Sequence, residues 1–273
     1  MAVLPFVYWA LSRQKGKLLT IVFLFSMQLN SIVKMSYRVP RPYIDAPETI
    51  DLVGAPSETF SFPSGHAQGS LMIWGGTALL FPSFGTIIVS VILPVLVGIS
   101  RMYLGVHSLL DVIAGFGIAI IFLIVLYSLV QIEKRVPPIT DHWLMRSSLV
   151  IISLIALVLF YDSKAKDLVL SGTTLVAFVI FEAIAQNRWH FKDTPCWSIK
   201  IRRCFAGYLP ASIFVIIYKL IPDAESWVYG LVFAVLGYWM AAGAPFLFTV
   251  LGFNGSERQC KGLVNKTKFQ NSP

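Results

Sequence analysis

The stretch that decides the fold is LLDVIAGFGIAIIFLIVLYSLV, residues 109–130, in which Asp111 is the sole side chain charged at neutral pH. A hydrocarbon core of about 30 Å is crossed by about 20 apolar residues of helix, and this stretch meets that length. Its apolar residues run on without alternation, so it reads neither as a strand nor as a stave of a barrel. Working outward, seven more stretches reach or approach a span: residues 18–33, 67–81, 85–99, 147–161, 168–186, 205–221 and 227–253. A ninth, residues 1–11, is about half a span. Its positive charges (Arg13, Lys15, Lys17) follow the apolar run, which is the wrong order for a signal peptide. The expected fold is all-α, a polytopic transmembrane helical bundle of about eight spans with a short N-terminal hydrophobic segment.

Composition agrees. Of 273 residues, 56% are hydrophobic and 13% charged, with a mean hydropathy of +0.72. Globular domains carry about 25% charged residues, and so few charges cannot cover a water-facing surface. A soluble enzyme, a nucleic-acid binder and a disordered tail are therefore excluded, and the formal charge of +8 is read against a bilayer. With the Arg13–Lys17 turn cytoplasmic and the spans alternating, most of the 22 Lys and Arg fall on the cytoplasmic side, the C-terminal tail included. The opposite face keeps Lys34, Arg38, Arg41, Arg101, Lys164, Lys166 and Lys219. Cys196, Cys204 and Cys260 all fall in cytoplasmic segments, as unpaired reduced thiols without metal-ligand spacing. The sequons at Asn254 and Asn265 are expected to be unused there.

Ionisable groups near a membrane are costly, so those at span ends are functional candidates. Three clusters stand on the non-cytoplasmic face. Lys34 and Arg41, with Pro42 stiffening the turn, offer a point charge and a planar fork for phosphate oxygens; Arg38 between them fits a headgroup anchor better. Pro63-Ser64-Gly65-His66 precedes residues 67–81, with Ser64 placed as an N-cap, Gly65 letting an anion approach the backbone, and His66 able to donate a proton beside it. Ser100-Arg101 and His107-x3-Asp111 join two spans. At a separation of four on a helix, Asp111 can hydrogen-bond the His107 ring and fix its tautomer, while Arg101 neutralises an anion that His107 attacks. Each cluster also has a structural reading, namely an anchor, a helix cap and a buried His–Asp tie.

The three in order, Lys-x6-Arg-Pro, Pro-Ser-Gly-His and Ser-Arg-x5-His-x3-Asp, resemble the signature of the type 2 phosphatidic acid phosphatase superfamily, with every defining position present. The resemblance implies a metal-independent phosphatase needing no cofactor, in which His107 forms a phosphohistidine, Asp111 orients it and His66 protonates the leaving oxygen. Lys34, Arg41, Ser64, Gly65 and Arg101 would hold the phosphoryl oxygens. The implied partners are a lipid phosphate and the membrane, and oligomeric state is left open. Three cations with backbone donors suit phosphoryl transfer.

One full span precedes Lys34 and four follow the catalytic one, an arrangement closer to the glucose-6-phosphatase and sphingosine-1-phosphate phosphatase branches. Residues 1–131 are expected to form the catalytic helical core. Residues 132–273 add helices without a readable motif and a basic tail. They could pack on the core, shape a lipid entrance or mediate oligomerisation. The acidic loop 43–62 is a candidate lid. His142 and His190 are expected to be loop residues. A phosphotransferase, and a lipid-phosphate binding or transport protein without turnover, are the alternative activities.

Overall fold

The computed structural model describes residues 3–44, 59–162, 165–189, 191–221 and 225–255, and these are all-helical apart from their connecting segments. A short helix α1 (Val3–Phe6) runs on as a π-helical turn, Val7–Leu11. There follow α2 (Arg13–Tyr37), α3 (Gly65–Leu80), α4 (Phe84–Tyr103), α5 (Leu109–Glu133), α6 (Trp143–Leu159), α7 (Lys166–Arg188), α8 (Trp197–Leu220), α9 (Ser226–Tyr238), a π-helical turn Trp239–Gly243, and α10 (Ala244–Val250). Each of the eight expected spans falls on this series. Six helical stretches are long and apolar enough to cross a membrane: those based on α2, α4, α5, α7 and α8, and the continuous α9–α10 run. The remaining two are shorter. Helix α3, of 16 residues, is bounded by the Ser64 cap and by Pro82; α6, of 17, starts at the His142 cap. His142 is thus a capping group as well as a loop residue, its Nδ1 accepting from Leu144 N at 3.3 Å.

Helix α2 is the axis of the bundle. Leu18 to Leu24 are all buried, and a helix that is apolar all round must be surrounded by others. Helices α3, α5 and α7 pack around it, with α6 touching it more lightly. Helix α7, from the half without a motif, is therefore a direct neighbour of the helix carrying Lys34. Polar pairs fix the register within the apolar interior. Gln28 donates to the Ser153 carbonyl at 3.2 Å and accepts from Ser153 Oγ at 3.0 Å, tying α2 to α6. Gln68 accepts from Asn30 at 2.7 Å and donates to the Ser26 carbonyl at 2.8 Å, tying α3 to α2. Helix α4 shows Ile87, Val91, Ile92, Val95 and Leu96 on its outer side, and α8 shows Phe205, Leu209, Ile213 and Leu220, which are faces for lipid. The half-span at the N-terminus is an interior piece. Tyr8 and Trp9 are fully buried, and the Trp9 indole donates to the Met240 carbonyl at 3.0 Å.

At one end of the bundle charges from four elements meet. Lys17 pairs with Asp141 and, at 3.7 Å, with Glu182; Arg146 reaches Asp141 at 2.8 Å and Glu182 at 2.9 Å; Arg13 lies 3.6 Å from Glu182. The alternation of spans puts the basic residues Arg13, Lys17 and Arg146 on one side, and they do gather at one end. Glu182 has 3% of its side chain exposed and serves three cations. Arg203, also buried, donates to the carbonyls of Trp9, Lys192 and Phe253 and so pins the end of the α9–α10 run to the N-terminal segment. Cys196 and Cys204 are unpaired thiols; Cys260, His190, Asn265 and most of the candidate lid lie outside the described residues.

Removing one partner of a buried ion cluster strands the rest, at a cost of about 3–5 kcal/mol. Glu182→Ala is therefore expected to lower the thermal unfolding temperature of the detergent-solubilised protein by several degrees, more than Asp141→Ala, whose side chain is 35% exposed. Equal, small effects of the two substitutions would remove the central role given to Glu182.

Candidate active site

Three cross-links bring the sequence clusters to the opposite end of the bundle. Ser61 N donates to the Val39 carbonyl at 2.9 Å, Arg41 donates to the Val106 carbonyl at 3.2 Å, and Ser64 N donates to the Asp111 carbonyl at 2.9 Å. Each joins the backbone of one cluster to another, so all three are held at one place although they come from separate parts of the chain.

Helix α2 ends immediately after its charged turn. Arg38 takes the left-handed conformation at the C-cap, φ 50° and ψ 36°, and its N–H closes on the Lys34 carbonyl at 2.9 Å. Lys34 is left in the last turn, where the negative end of the helix dipole favours a cation. Its ammonium is buried and lies 3.2 Å from Asp167 Oδ2, at the start of α7. Arg38 points away, mostly exposed, towards Asp162 at 3.4 Å, in keeping with the anchor reading. Arg41 is buried and already committed. Its Nε and one terminal nitrogen bond Thr59 at 2.7 and 2.8 Å, and the other terminal nitrogen bonds Val106. A guanidinium has five N–H donors, so two remain to offer an anion.

Ser64 caps α3 as its spacing suggests, its hydroxyl accepting from Ala67 N at 3.5 Å. The N–H groups of Gly65 and His66 in the first turn are those a helix N-terminus presents to an anion. Gly65 has a second reason beside the one its position suggested. A Cβ there would lie 3.3 Å from Asn30 Oδ1, facing α2, so the absent side chain also serves the contact between the two helices. The closest approach in the site is at Gly115 of α5, where a Cβ would stand 2.6 Å from the Ser64 carbonyl oxygen. Only a residue without a side chain lets α5 lie this close to the α3 N-terminus.

His107 lies one residue ahead of the α5 N-cap, Ser108, and is not itself on the helix. Ser108 and Asp111 form a capping box: Asp111 Oδ2 accepts from Ser108 N at 2.7 Å, and Ser108 Oγ accepts from Asp111 N at 3.2 Å. The ring and carboxylate face each other at 3.6 Å, His107 Nδ1 to Asp111 Oδ2, which is an ion-pair distance and too long for the hydrogen bond expected from the spacing. The carboxylate is held back by its capping duty. Among the described residues, His107 Nδ1 is buried without a hydrogen-bond partner, and so is Nε of Arg101 in the last turn of α4. Burial first, then the charges of Arg41, Lys34 and His66, push the His107 pKa down to about 3. His66 is exposed at the mouth, in the electrostatic field of Arg101, Lys34, Asp167 and Arg41. The eight site residues expected from sequence are thus brought together.

Sequence reasoning missed Asp167, Gly115 and the Ser26–Asn30–Gln68 ties. The S-x-x-D pattern at Ser108 was a legible capping signal. Asp167 sits next to Lys166, which the alternation had already put on this face, but no motif spacing marks it.

Residues 15–135 match the family model of the PAP2 superfamily. Sphingosine-1-phosphate phosphatase 1 of Rattus norvegicus is 36% identical over 134 residues, 47% of this chain and 31% of the relative's length. Phosphatidylglycerophosphatase B of Bacillus subtilis is 34% identical over 120 residues, covering 40% of this chain and 56% of the relative. Undecaprenyl-diphosphatase of Sulfolobus acidocaldarius is 37% identical over 105 residues, covering 38% and 50%. The chain thus spans 31% of the length of the first relatives it matches, and no solved structure matches it. All the motif residues lie inside the matched segment, with Asp167 outside it, and residues 15–135 of this chain belong to the PAP2 superfamily.

Proposed function

We propose that this protein is an integral membrane phosphatase that removes the phosphoryl group of a lipid phosphomonoester or pyrophosphate through a phosphohistidine on His107, with its site on the non-cytoplasmic face. The observation that carries the reading is a pair of buried, unpartnered nitrogens, His107 Nδ1 and Arg101 Nε, in one cluster with Lys34, Arg41 and the open first turn of α3. A buried polar atom without a partner is costly; an anion delivered to this cluster supplies a partner to Arg101 Nε, and the charge it brings to the His107 ring draws Nδ1 onto Asp111.

The residues divide the chemistry as follows. Among the described residues the carboxylate oxygen near Nδ1 is Asp111 Oδ2, so Asp111 holds the proton on Nδ1 and leaves Nε2 unprotonated to attack phosphorus. An approach of about 0.5 Å from the present separation makes that hydrogen bond as the ring gains positive charge. Lys34, the two spare Arg41 donors, Arg101 and the first-turn N–H groups of α3 take the equatorial oxygens. His66, at the open side, protonates the leaving alkoxide and then accepts a proton from the water that cleaves the phosphohistidine. Protein cations supply the charge neutralisation that a metal gives in other phosphatases, so no metal is required.

Phosphate release from vesicle-embedded lysophosphatidate or polyprenyl pyrophosphate is expected to persist in excess chelator and to fall by about 10³-fold or more in His107→Ala, with acid-labile phosphate on the wild type during turnover. Loss of release on chelation, or near-normal release by His107→Ala, would overturn the mechanism; transfer of phosphate to an added alcohol in place of water would make the protein a transferase.

Gly115→Ala puts a methyl group against the Ser64 carbonyl. It is expected to cost about 10-fold or more in turnover by displacing the α3 N-terminus, with binding of a long-chain phosphate less affected. Unimpaired turnover would show that the approach of α5 to Ser64 is not needed.

The pH dependence of stability has a definite sign. In the unfolded chain His107 takes up a proton below about pH 6.5, whereas the folded ring stays neutral to about pH 3, so protonation of the unfolded state drains stability as pH falls through this window. The wild type should therefore lose more unfolding temperature between pH 6.5 and 4 than His107→Asn does. Parallel curves would rule out the buried neutral imidazole.

A further inference from the structure

Two buried amides lie beneath the site and belong to none of its motifs. Asn30 stands four residues before Lys34 on α2, and Gln68 closes the first turn of α3, two residues after His66. Their side chains are enclosed, at 1% and 0% exposure. Asn30 Nδ2 donates to Gln68 Oε1 at 2.7 Å and reaches the Pro63 carbonyl at 3.5 Å, the limit of a hydrogen bond. Gln68 Nε2 donates in turn to the Ser26 carbonyl at 2.8 Å and to Ser26 Oγ at 3.3 Å, one turn further down α2. The Gln68 backbone N–H meanwhile closes on the Ser64 carbonyl at 3.0 Å. Asn30 therefore grips α3 from Pro63 to Gln68, the stretch that carries His66 and the open N–H groups.

Adhesion between the two helices does not need this pair. Further from the site they meet through apolar side chains, Phe23 and Met27 against Gly69 and Leu19 against Gly76. Such contacts let one helix slide or turn on the other at small cost. Directional amides permit one register, because an amide drawn off its partner in an apolar interior is costly. The tie stands where register decides the chemistry. Lys34 on α2 and the first turn of α3 are to hold oxygens of one phosphate, and a slide of about 1 Å between the helices separates them. Gln28, two residues before Asn30, offers an internal comparison. It is an equally buried amide, but it bonds Ser153 of α6, a helix without a site residue.

We infer that Asn30 and Gln68 are positioning residues for phosphoryl transfer. They set the spacing between the Lys34 ammonium and the α3 N-terminus, and the aim of His66, without touching the phosphate themselves. The inference rests on the phosphatase reading above and deepens it, since it makes the rate of transfer depend on a polar tie one turn below the reacting groups.

The test removes both amides at once. Asn30→Leu combined with Gln68→Leu strands neither partner, and replacing both members of a buried hydrogen bond by apolar groups is nearly neutral for stability. The double variant should unfold in detergent close to the wild-type temperature. Its kcat on vesicle-embedded lysophosphatidate should fall by about 30-fold, with KM changed by less than about 3-fold. Vanadate, which mimics the five-coordinate phosphorus of the transfer, should inhibit it about 10-fold less well, while inorganic phosphate competes nearly as before. Gln28→Leu combined with Ser153→Ala, the matching removal of the α2–α6 pair, should leave kcat within about 2-fold. Wild-type kcat in the Asn30/Gln68 double variant, or an equal fall in the Gln28/Ser153 one, would overturn the inference and leave a register tie alone. Should the double variant fail to fold, Asn30→Ser, which shortens one member of the pair, is held to the same kcat and vanadate criteria. Phosphate release by the wild type with an unimpaired double variant removes this inference and leaves the phosphatase reading standing. Release by the wild type from no lipid phosphate brings down both.

Discussion

The hydrogen bond from Ser64 N to the Asp111 carbonyl is the constraint on which the site depends. It ties the N-terminus of α3 to the first turn of α5, so His66, in the first turn of α3, and the loop bearing His107 open at one point. The bond exists only because Gly115 lets the two helices approach. The Asn30–Gln68–Ser26 ties then hold α3 on α2, and Arg41 closes the circuit by bonding the carbonyl just ahead of His107. Every group proposed to touch phosphate is thus fixed by backbone held on rigid helices, which is how a site gains precision without flexible loops.

Much of this was legible in sequence because the membrane imposes simple rules. Apolar length alone located all eight helical stretches, and the placement of Lys and Arg foretold which residues would share an end: Lys17 with Arg146 at one, Lys34 with Arg101 at the other. Residues 1–11 read as about half a span, while their packing was not readable: Tyr8 and Trp9 are fully buried against the other helices. The motif residues were readable as chemistry, but their geometry was not. A separation of four between His107 and Asp111 implies a shared helix face only if both are helical, and the helix begins one residue too late. Gly65 was readable as a glycine, though the direction of its missing Cβ is a property of the packed structure.

The distance between His107 and Asp111 shows two demands on one carboxylate. Capping α5 uses Asp111 Oδ2 at 2.7 Å from Ser108 N, and orienting the imidazole needs the same atom. A carboxylate oxygen has two lone-pair directions, so both bonds can be made, but only if the ring comes nearer. In the resting site the ring is neutral, so its attraction to the acid is weak. When phosphorylation places positive charge on the ring, its attraction to Asp111 rises steeply in a low-dielectric setting. The cap therefore keeps the acid in place at no cost to the resting state, and the hydrogen bond forms as charge develops.

The two ends of the bundle treat buried charge differently, and the difference separates structure from function. At one end Glu182 is shared among three cations at 2.9–3.7 Å and Asp141 between Lys17 and Arg146, with Arg13 Nη2 lacking a hydrogen-bond partner among the described residues. At the Lys34 end, among the described residues, Asp167 pairs with Lys34 alone, Arg101 Nε and His107 Nδ1 have no hydrogen-bond partner, and Arg41 has donors to spare. Both clusters join α2 to α7, so the need to hold these helices together does not explain the open one. A fold that shares its carboxylates among several cations at one end and leaves cations without a carboxylate at the other has kept that end for a ligand, whose charges must complete the set.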